Sequence, residues 1–227
     1  MGLGSRSEIK QGIRKGFAVV NGSVAKRPDE KVSQEDKVTW KEQPVEFVEY
    51  EYIMLNKPVG VISATEDKRT ETVLDLIVDK KRMDLFPVGR LDKDTEGLLL
   101  LTNDGQLAHR LLSPKRHVAK VYYARVQGIM SDEDIRLFKE GLEVDEEFMA
   151  LPAELEILAI HPDGTSEIRL KIYEGKFHQV KRMVQAVGKE VTYLKRLSMG
   201  SMVLDEGLEP GEYRRLTDVE VEALYVK

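Results

Sequence analysis

The run Gly97-Leu98-Leu99-Leu100-Leu101-Thr102 constrains this chain most, because an uninterrupted apolar stretch of that length must be buried. Its short length and the turn signals around it make it a strand. Asn103-Asp104-Gly105 closes it on one side. On the other side Arg90, Asp92, Lys93, Asp94 and Glu96 crowd into seven residues. A solvated turn is the ordinary explanation for such a cluster. The alternative is that one carboxylate, Asp92, is held at the lip of the buried strand for chemistry.

The flanking sequence predicts a small unit followed by a larger one. Ser5 and Glu8 have capping-box spacing, so a helix starts there, with Ile9 and Ile13 on its apolar side and Gly16 as its stop. Its exposed side carries Arg6, Lys10 and Arg14 at i, i+4 and i+8, a single basic stripe. Asn21-Gly22 suits a type I′ hairpin turn, and "DKVTW" adds a strand. Residues 1–45 thus form an N-terminal α/β module, and "KEQPVEFVEYE" reads as a linker into a domain spanning 46–227. In that domain strands are expected at "YIMLN", "VIS", "GLLLLTN", "KVYYARVQG", 154–160, 166–174 and "VTYLKRLSM". Helices are expected at "TVLDLI", "DGQLAHRLLS", between Ser131 and Gly141, at "FHQVKRMVQAVG" and after Thr217. Without a strict βαβ rhythm or a phosphate loop, the fold class is α+β on a mainly antiparallel mixed sheet.

Composition narrows the chemistry. There is no cysteine, which excludes disulfides and thiolate nucleophiles, and the four histidines have no paired spacing, so no metal site is expected. No apolar run approaches the ~20 residues of a membrane span, and the first ten residues lack a signal-peptide core; a cytoplasmic location is expected. The net charge of −5 conceals three basic islands, over residues 1–27, 106–125 and 171–200, each with a balance of +5. Residues 131–156 balance at −8. Such segregation suits a protein that meets a polyanion on one face.

The helix "HQVKRMVQAVG" would turn Val180, Met183, Val184 and Val187 to the core. His178, Lys181, Arg182 and Gln185 fall on the opposite, hydrogen-bonding face. A carboxylate at the start of a buried strand loses hydration, and a nearby cation offsets that loss and keeps it ionised. For Asp92 the candidates are Arg90, two residues away, and Lys181 or Arg182 from this helix. Tyr122 and Tyr123 point to opposite faces of a strand, so only one can reach a cleft, where its ring would suit a flat aromatic substrate such as a nucleobase.

The segment Gly89-Arg90-Leu91-Asp92 through Gly105 resembles the catalytic motif of RNA pseudouridine synthases of the RsuA/RluB type. Asn56-Lys57-Pro58-Val59-Gly60, Lys120-Val121-Tyr122-Tyr123, Glu174 through Met183 and Arg196-Leu197-Ser198-Met199-Gly200 follow in the family's order. The resemblance covers roughly residues 50–225 and implies roles. Asp92 would be the essential aspartate that opens the glycosidic bond. Arg90 would fill the gap left by the flipped nucleotide. Tyr122 would stack on the uracil and assist proton removal, Lys181 would pair with Asp92 with Arg182 as its nearest rival, and Val180 would pack on the base. His178, Lys57 and Arg196 are expected among the RNA contacts. No metal and no cofactor is implied.

"HQVKRM" and "LKRLSMG" resemble the branch acting on one uridine of 16S ribosomal RNA, so 16S rRNA within a small-subunit precursor is the expected partner of a monomeric enzyme. Residues 1–45 resemble the RNA-binding module first seen in ribosomal protein S-four, with Arg6, Lys10 and Arg14 as its RNA contacts. That module normally begins with one more basic helix; here it is expected to be truncated, with Met1 internal to a longer protein. Three alternatives stand beside this reading: the same chemistry on large-subunit 23S rRNA, a non-catalytic RNA-binding or ribosome-assembly factor, and a glycoside hydrolase pairing Asp92 with Asp94 or Glu96. The last is disfavoured, since the one tryptophan, Trp40, lies in the wrong domain for a sugar platform.

Overall fold

A computed structural model describes residues 3–226. The chain divides into two compact units, Met1–Glu51 with Asp79–Asp84, and Tyr52–Val78 with Leu85–Lys227.

In the first unit, α1 (Arg6–Arg14) opens with the capping box foreseen, Ser5 and Glu8 each holding the other's backbone N–H. Four short strands follow: β1 (Ala18–Val20), β2 (Ser23–Val24), β3 (Val38–Trp40) and β4 (Gln43–Val45), in the order β2-β1-β3-β4. Asn21 and Gly22 both take positive φ at the first hairpin, as a type I′ turn requires. The Trp40 ring packs so tightly against Gly12 that a Cβ there would lie 2.2 Å from it. The segment read as a linker is different: Lys41 and Glu42 make a second positive-φ hairpin turn, and β4 pairs back on β3. Neither turn residue is glycine or asparagine, so the sequence carried no turn signal.

The second unit is built on one nine-stranded sheet. Its elements are β5 (Tyr52–Lys57), β6 (Phe86–Pro87), β7 (Glu96–Thr102), α2 (Gly105–Leu112), β8 (Lys120–Gln127), α3 (Asp132–Glu140), β9 (Leu142–Asp145), β10 (Phe148–Ala150), β11 (Glu154–Ile160), β12 (Thr165–Ile172), α4 (Gln179–Ala186), β13 (Glu190–Met199), β14 (Met202–Val203), β15 (Tyr213–Arg215) and α5 (Asp218–Tyr225). The sheet order is β11-β12-β8-β13-β7-β5-β15, with β14 added to β13 and β6 to β7; β9 and β10 form a separate hairpin. Among the strands, β13 with β7 is the parallel pair and the rest are antiparallel. The α+β class on a mainly antiparallel sheet is thus observed.

The leucine run is explained by cover on both faces. Leu99 and Leu101 of β7 join Ile53 and Leu55 of β5 in one core, under α3 and α4. Leu98 and Leu100 join Met54 in a second core with Leu107 and Leu111 of α2 and Leu224 of α5. With no wet face, β7 has no reason to alternate.

Two local expectations fail. "TVLDLI" is not a helix: Asp75 accepts from the Thr72 amide and hydroxyl and closes a turn. Val73, Leu74 and Ile77 nevertheless reach the core, so the apolar spacing was real and the helix was not. "VIS" contributes only a single parallel bridge, Ile62 to Thr72.

Candidate active site

A cleft of about 230 Å³ opens over the sheet beside the start of β7. Its floor is set by strand register. Lys120 and Tyr122 share one face of β8, and Tyr122 faces Leu170 of β12 on one side and Arg196 of β13 on the other. Gly89 to Asp92 line one part of it, and Tyr173 to Lys176 with His178, Gln179 and Val180 line another.

Asp92 lies on a clamped loop. Ser63 Oγ donates to the Leu91 carbonyl at 2.9 Å and accepts from the Leu91 amide at 3.0 Å, locking the residue before it. Asp92 and Thr95 close a turn through the Thr95 amide, and the Gly60 amide holds the Lys93 carbonyl. Beneath the loop, Lys57 Nζ donates to the carbonyls of Pro58 and Thr95 at 2.9 Å and lies 3.5 Å from that of Lys93. Burial pushes this ammonium down to about 8, with Asp94, Asp92 and Glu96 offsetting part of the effect.

α4 supplies the cation. Val180, Met183 and Val184 are buried as the wheel predicted, and Lys181 reaches the Asp92 loop. Its Nζ lies 3.2 Å from Asp92 Oδ2 and 2.6 Å from Asp94 Oδ1. Burial pulls the Lys181 ammonium down, but its hydrogen bonds to Asp94 and then Asp92 outweigh this and hold it above the ordinary lysine value. Lys181 in turn keeps Asp94 below the usual carboxylate range. His178, at a left-handed φ of 50°, brings Nε2 to 3.4 Å from Asp92 Oδ1. The Asp92 side chain keeps 27% exposure, so it is half-buried between Lys181 and His178 and within reach of solvent.

The structure sorts the remaining candidates. Tyr122, not Tyr123, lines the cleft with Asp92, and Val180, His178 and Arg196 line it too. Arg90 stands exposed on the rim and forms no ion pair with Asp92. Arg182 is turned away: it pairs with Asp145 and lies over the Phe148 ring, so it is not a rival for Asp92. Lys57 is fully buried on backbone carbonyls, so it supports the loop instead of meeting RNA. Arg6, Lys10 and Arg14 are exposed on α1 in the first unit. Nothing in the order of residues marks Ser63, Asp94 or Asp145 as partners in this network. Their signals exist only across the fold.

A carboxylate held by an ammonium, in a cleft that a tyrosine also lines, can act on a flat base as nucleophile or base. Comparison with known proteins gives the family. Residues 51–186 match the family model described as RNA pseudouridylate synthase. The chain is 50% identical over 98% of its length to an uncharacterized RNA pseudouridine synthase, YtzG, of Bacillus subtilis, covering 94% of that protein. It is 39% identical over 97% of its length to the ribosomal small subunit pseudouridine synthase A of Vibrio cholerae, covering 94% of it. A crystal structure of a pseudouridylate synthase superposes with a TM-score of 0.71 at 38% identity, covering 97% of this chain and 94% of that one. The chain belongs to the RNA pseudouridylate synthase family and is an enzyme that isomerises uridine to pseudouridine in RNA. Among the described residues, no helix is long and apolar enough to cross a membrane.

Proposed function

We propose that this enzyme modifies one uridine of 16S ribosomal RNA within a small-subunit precursor, and that Asp92 is its essential aspartate. The substrate reading is supported by relatives named ribosomal small subunit pseudouridine synthase A, at 37–39% identity over nearly the whole chain. The observation that carries the assignment of Asp92 is its position between Lys181 and His178, in the cleft that Tyr122 also lines.

In the reaction the bond from C1′ to N1 breaks, the uracil turns, and C1′ bonds to C5. N1 gains a proton and C5 loses one, so product and substrate are isomers. Each route open to Asp92 (attack on the base, attack on the sugar, removal of a sugar proton) starts from the same ionised carboxylate. Lys181 donates to that carboxylate and holds it in place, Tyr122 stacks on the uracil and assists loss of the C5 proton, and Val180 packs on the base. Extruding the nucleotide costs a few kcal/mol of stacking. Arg90 on the rim fills the gap in the RNA, and His178, Arg196 and the α1 stripe of Arg6, Lys10 and Arg14 add RNA contacts.

The test is incubation with unmodified 16S transcript and with 30S precursor, followed by carbodiimide and reverse-transcriptase mapping. One new stop in 16S RNA, absent with Asp92→Asn, is expected. A stop only in 23S RNA would overturn the substrate, and a stop that survives Asp92→Asn would overturn the role of Asp92.

A further inference from the structure

The cleft floor holds two cations that the chemistry at Asp92 does not use. Lys120 and Arg196 are buried to 7% and 2% exposure on the two strands that carry and flank Tyr122. Each is held by one neutral acceptor: Lys120 Nζ donates to the Val118 carbonyl at 2.9 Å, and Arg196 Nε to the Leu98 carbonyl at 2.8 Å. Neither forms an ion pair with any described residue. The nearby carboxylate, Glu174, is engaged elsewhere, since its Oε1 accepts from Gln179 Nε2 and from the Leu151 amide. Arg196 Nη2 is buried with no hydrogen-bond partner, and so is the hydroxyl of Thr95, another residue of the cleft lining.

Burying two like charges side by side is unfavourable unless an anion is brought to them. Burial and then the neighbouring Arg196 push the Lys120 ammonium down to about 8, against the pull of Glu174. A neutral uracil carbonyl could accept one bond from Nη2 but would leave the repulsion between the cations in place. A phosphodiester offsets both charges and offers several acceptor oxygens, the geometry guanidinium groups favour.

We infer that Lys120 and Arg196 form a phosphate-binding subsite on the cleft floor beside Tyr122, which holds a phosphodiester group adjoining the target uridine. The subsite rests on the reading of this cleft as the uridine site. It makes phosphate recognition part of seating the nucleotide, separate from the surface charges that draw RNA to the protein.

Calorimetric titration of the full chain with uridine, uridine 5′-monophosphate and uridine 3′-monophosphate tests it. One monophosphate should bind at least about tenfold more tightly than uridine. Lys120→Met should erase that advantage while leaving uridine affinity within about twofold, and Lys120→Arg should restore much of it. Equal affinity for nucleoside and monophosphates, no heat from either monophosphate at millimolar concentration, or an advantage that survives Lys120→Met would overturn the subsite. Should Lys120→Met not fold, the ratio in the unsubstituted enzyme decides. Asp92→Asn should keep the monophosphate advantage. Absence of pseudouridine from every RNA tested, with the advantage intact, would sink the functional reading and spare the subsite.

Discussion

Lys181 gives its shorter bond to Asp94, at 2.6 Å, and its longer one to Asp92, at 3.2 Å. The Asp94 side chain is 72% exposed, so water screens that bond. Asp92, more enclosed and beside His178, depends more on the ammonium. The two carboxylates therefore compete for one cation.

The competition sets the outcome of substitution. Lys181→Met should lower the single-turnover rate on saturating RNA by about 100-fold or more, the scale for losing a fixed charge at a reacting centre. Asp94→Asn frees the ammonium for Asp92 and should change the rate by less than about tenfold. Rapid-quench kinetics on both variants checks this. A larger loss for Asp94→Asn than for Lys181→Met would move the essential acid from position 92 to 94.

Tyr122 separates stacking from proton transfer. Its ring lines the cleft while its strand neighbour Tyr123 faces the other side of the sheet. Tyr122→Phe keeps the ring, so RNA affinity should hold within about twofold while the rate falls by roughly 100- to 10,000-fold, the range for a lost acid–base group. Tyr122→Leu should weaken RNA binding as well. A full rate in Tyr122→Phe would limit the residue to stacking.

Much of this arrangement was legible in the residues, for identifiable reasons. The leucine run of β7 announces burial because nothing polar breaks it, and the wheel of α4 separates Val180, Met183 and Val184 from Lys181. What the wheel could not do was choose between Lys181 and Arg182. Both lie on its polar side, and only the approach of Asp145 to one and Asp92 to the other distinguishes them. The burial of Lys57 is not legible in the sequence, because a buried lysine is rare and its three carbonyl acceptors come from two segments far apart in sequence. The need for glycine at 97 is hidden for a similar reason, since it arises from a strand about a hundred residues away.

Lys57 should leave a signature in the pH dependence of stability. Its ammonium titrates at about 8 in the folded protein against 10.5 ordinarily. Between those values the unfolded chain holds a proton that the folded chain has released, so stability from this group rises with pH across the window. Seen from the other side, that contribution is present above 10.5 and lost as pH falls through 8. Lys57→Met removes the term. Urea denaturation of both proteins at pH 7.5 and pH 10 should show the original chain gaining about 1–3 kcal/mol on the variant. A difference that stays flat, or falls, would mean that the ammonium is not desolvated beneath the Asp92 loop.

Gly97 ties catalysis to the fold more directly. It stands at the start of β7, at a φ of 101°, where β13 joins in the parallel pairing and Arg196 lies opposite. A Cβ there would sit 2.3 Å from the Arg196 carbonyl oxygen and 2.8 Å from its amide nitrogen, both backbone atoms of a central strand. Gly97→Ala must therefore adopt a conformation that alanine resists and also push β13 away from β7. Strain and lost pairing together should cost about 3 kcal/mol or more. The damage should reach the cleft, because β13 carries Arg196 onto its floor and Gly97 lies five residues beyond Asp92. Thermal unfolding should show a clear drop in Tm, and residual activity at a permissive temperature should fall further than the folded fraction explains. By contrast Gly60, whose Cβ would meet nothing within 4 Å, has only its φ of 87° to satisfy. Gly60→Asn should be tolerated, since asparagine accepts the left-handed region more readily than alanine. Equal damage at positions 60 and 97 would show that backbone angle, not the closeness of β13 to β7, is what glycine provides at 97.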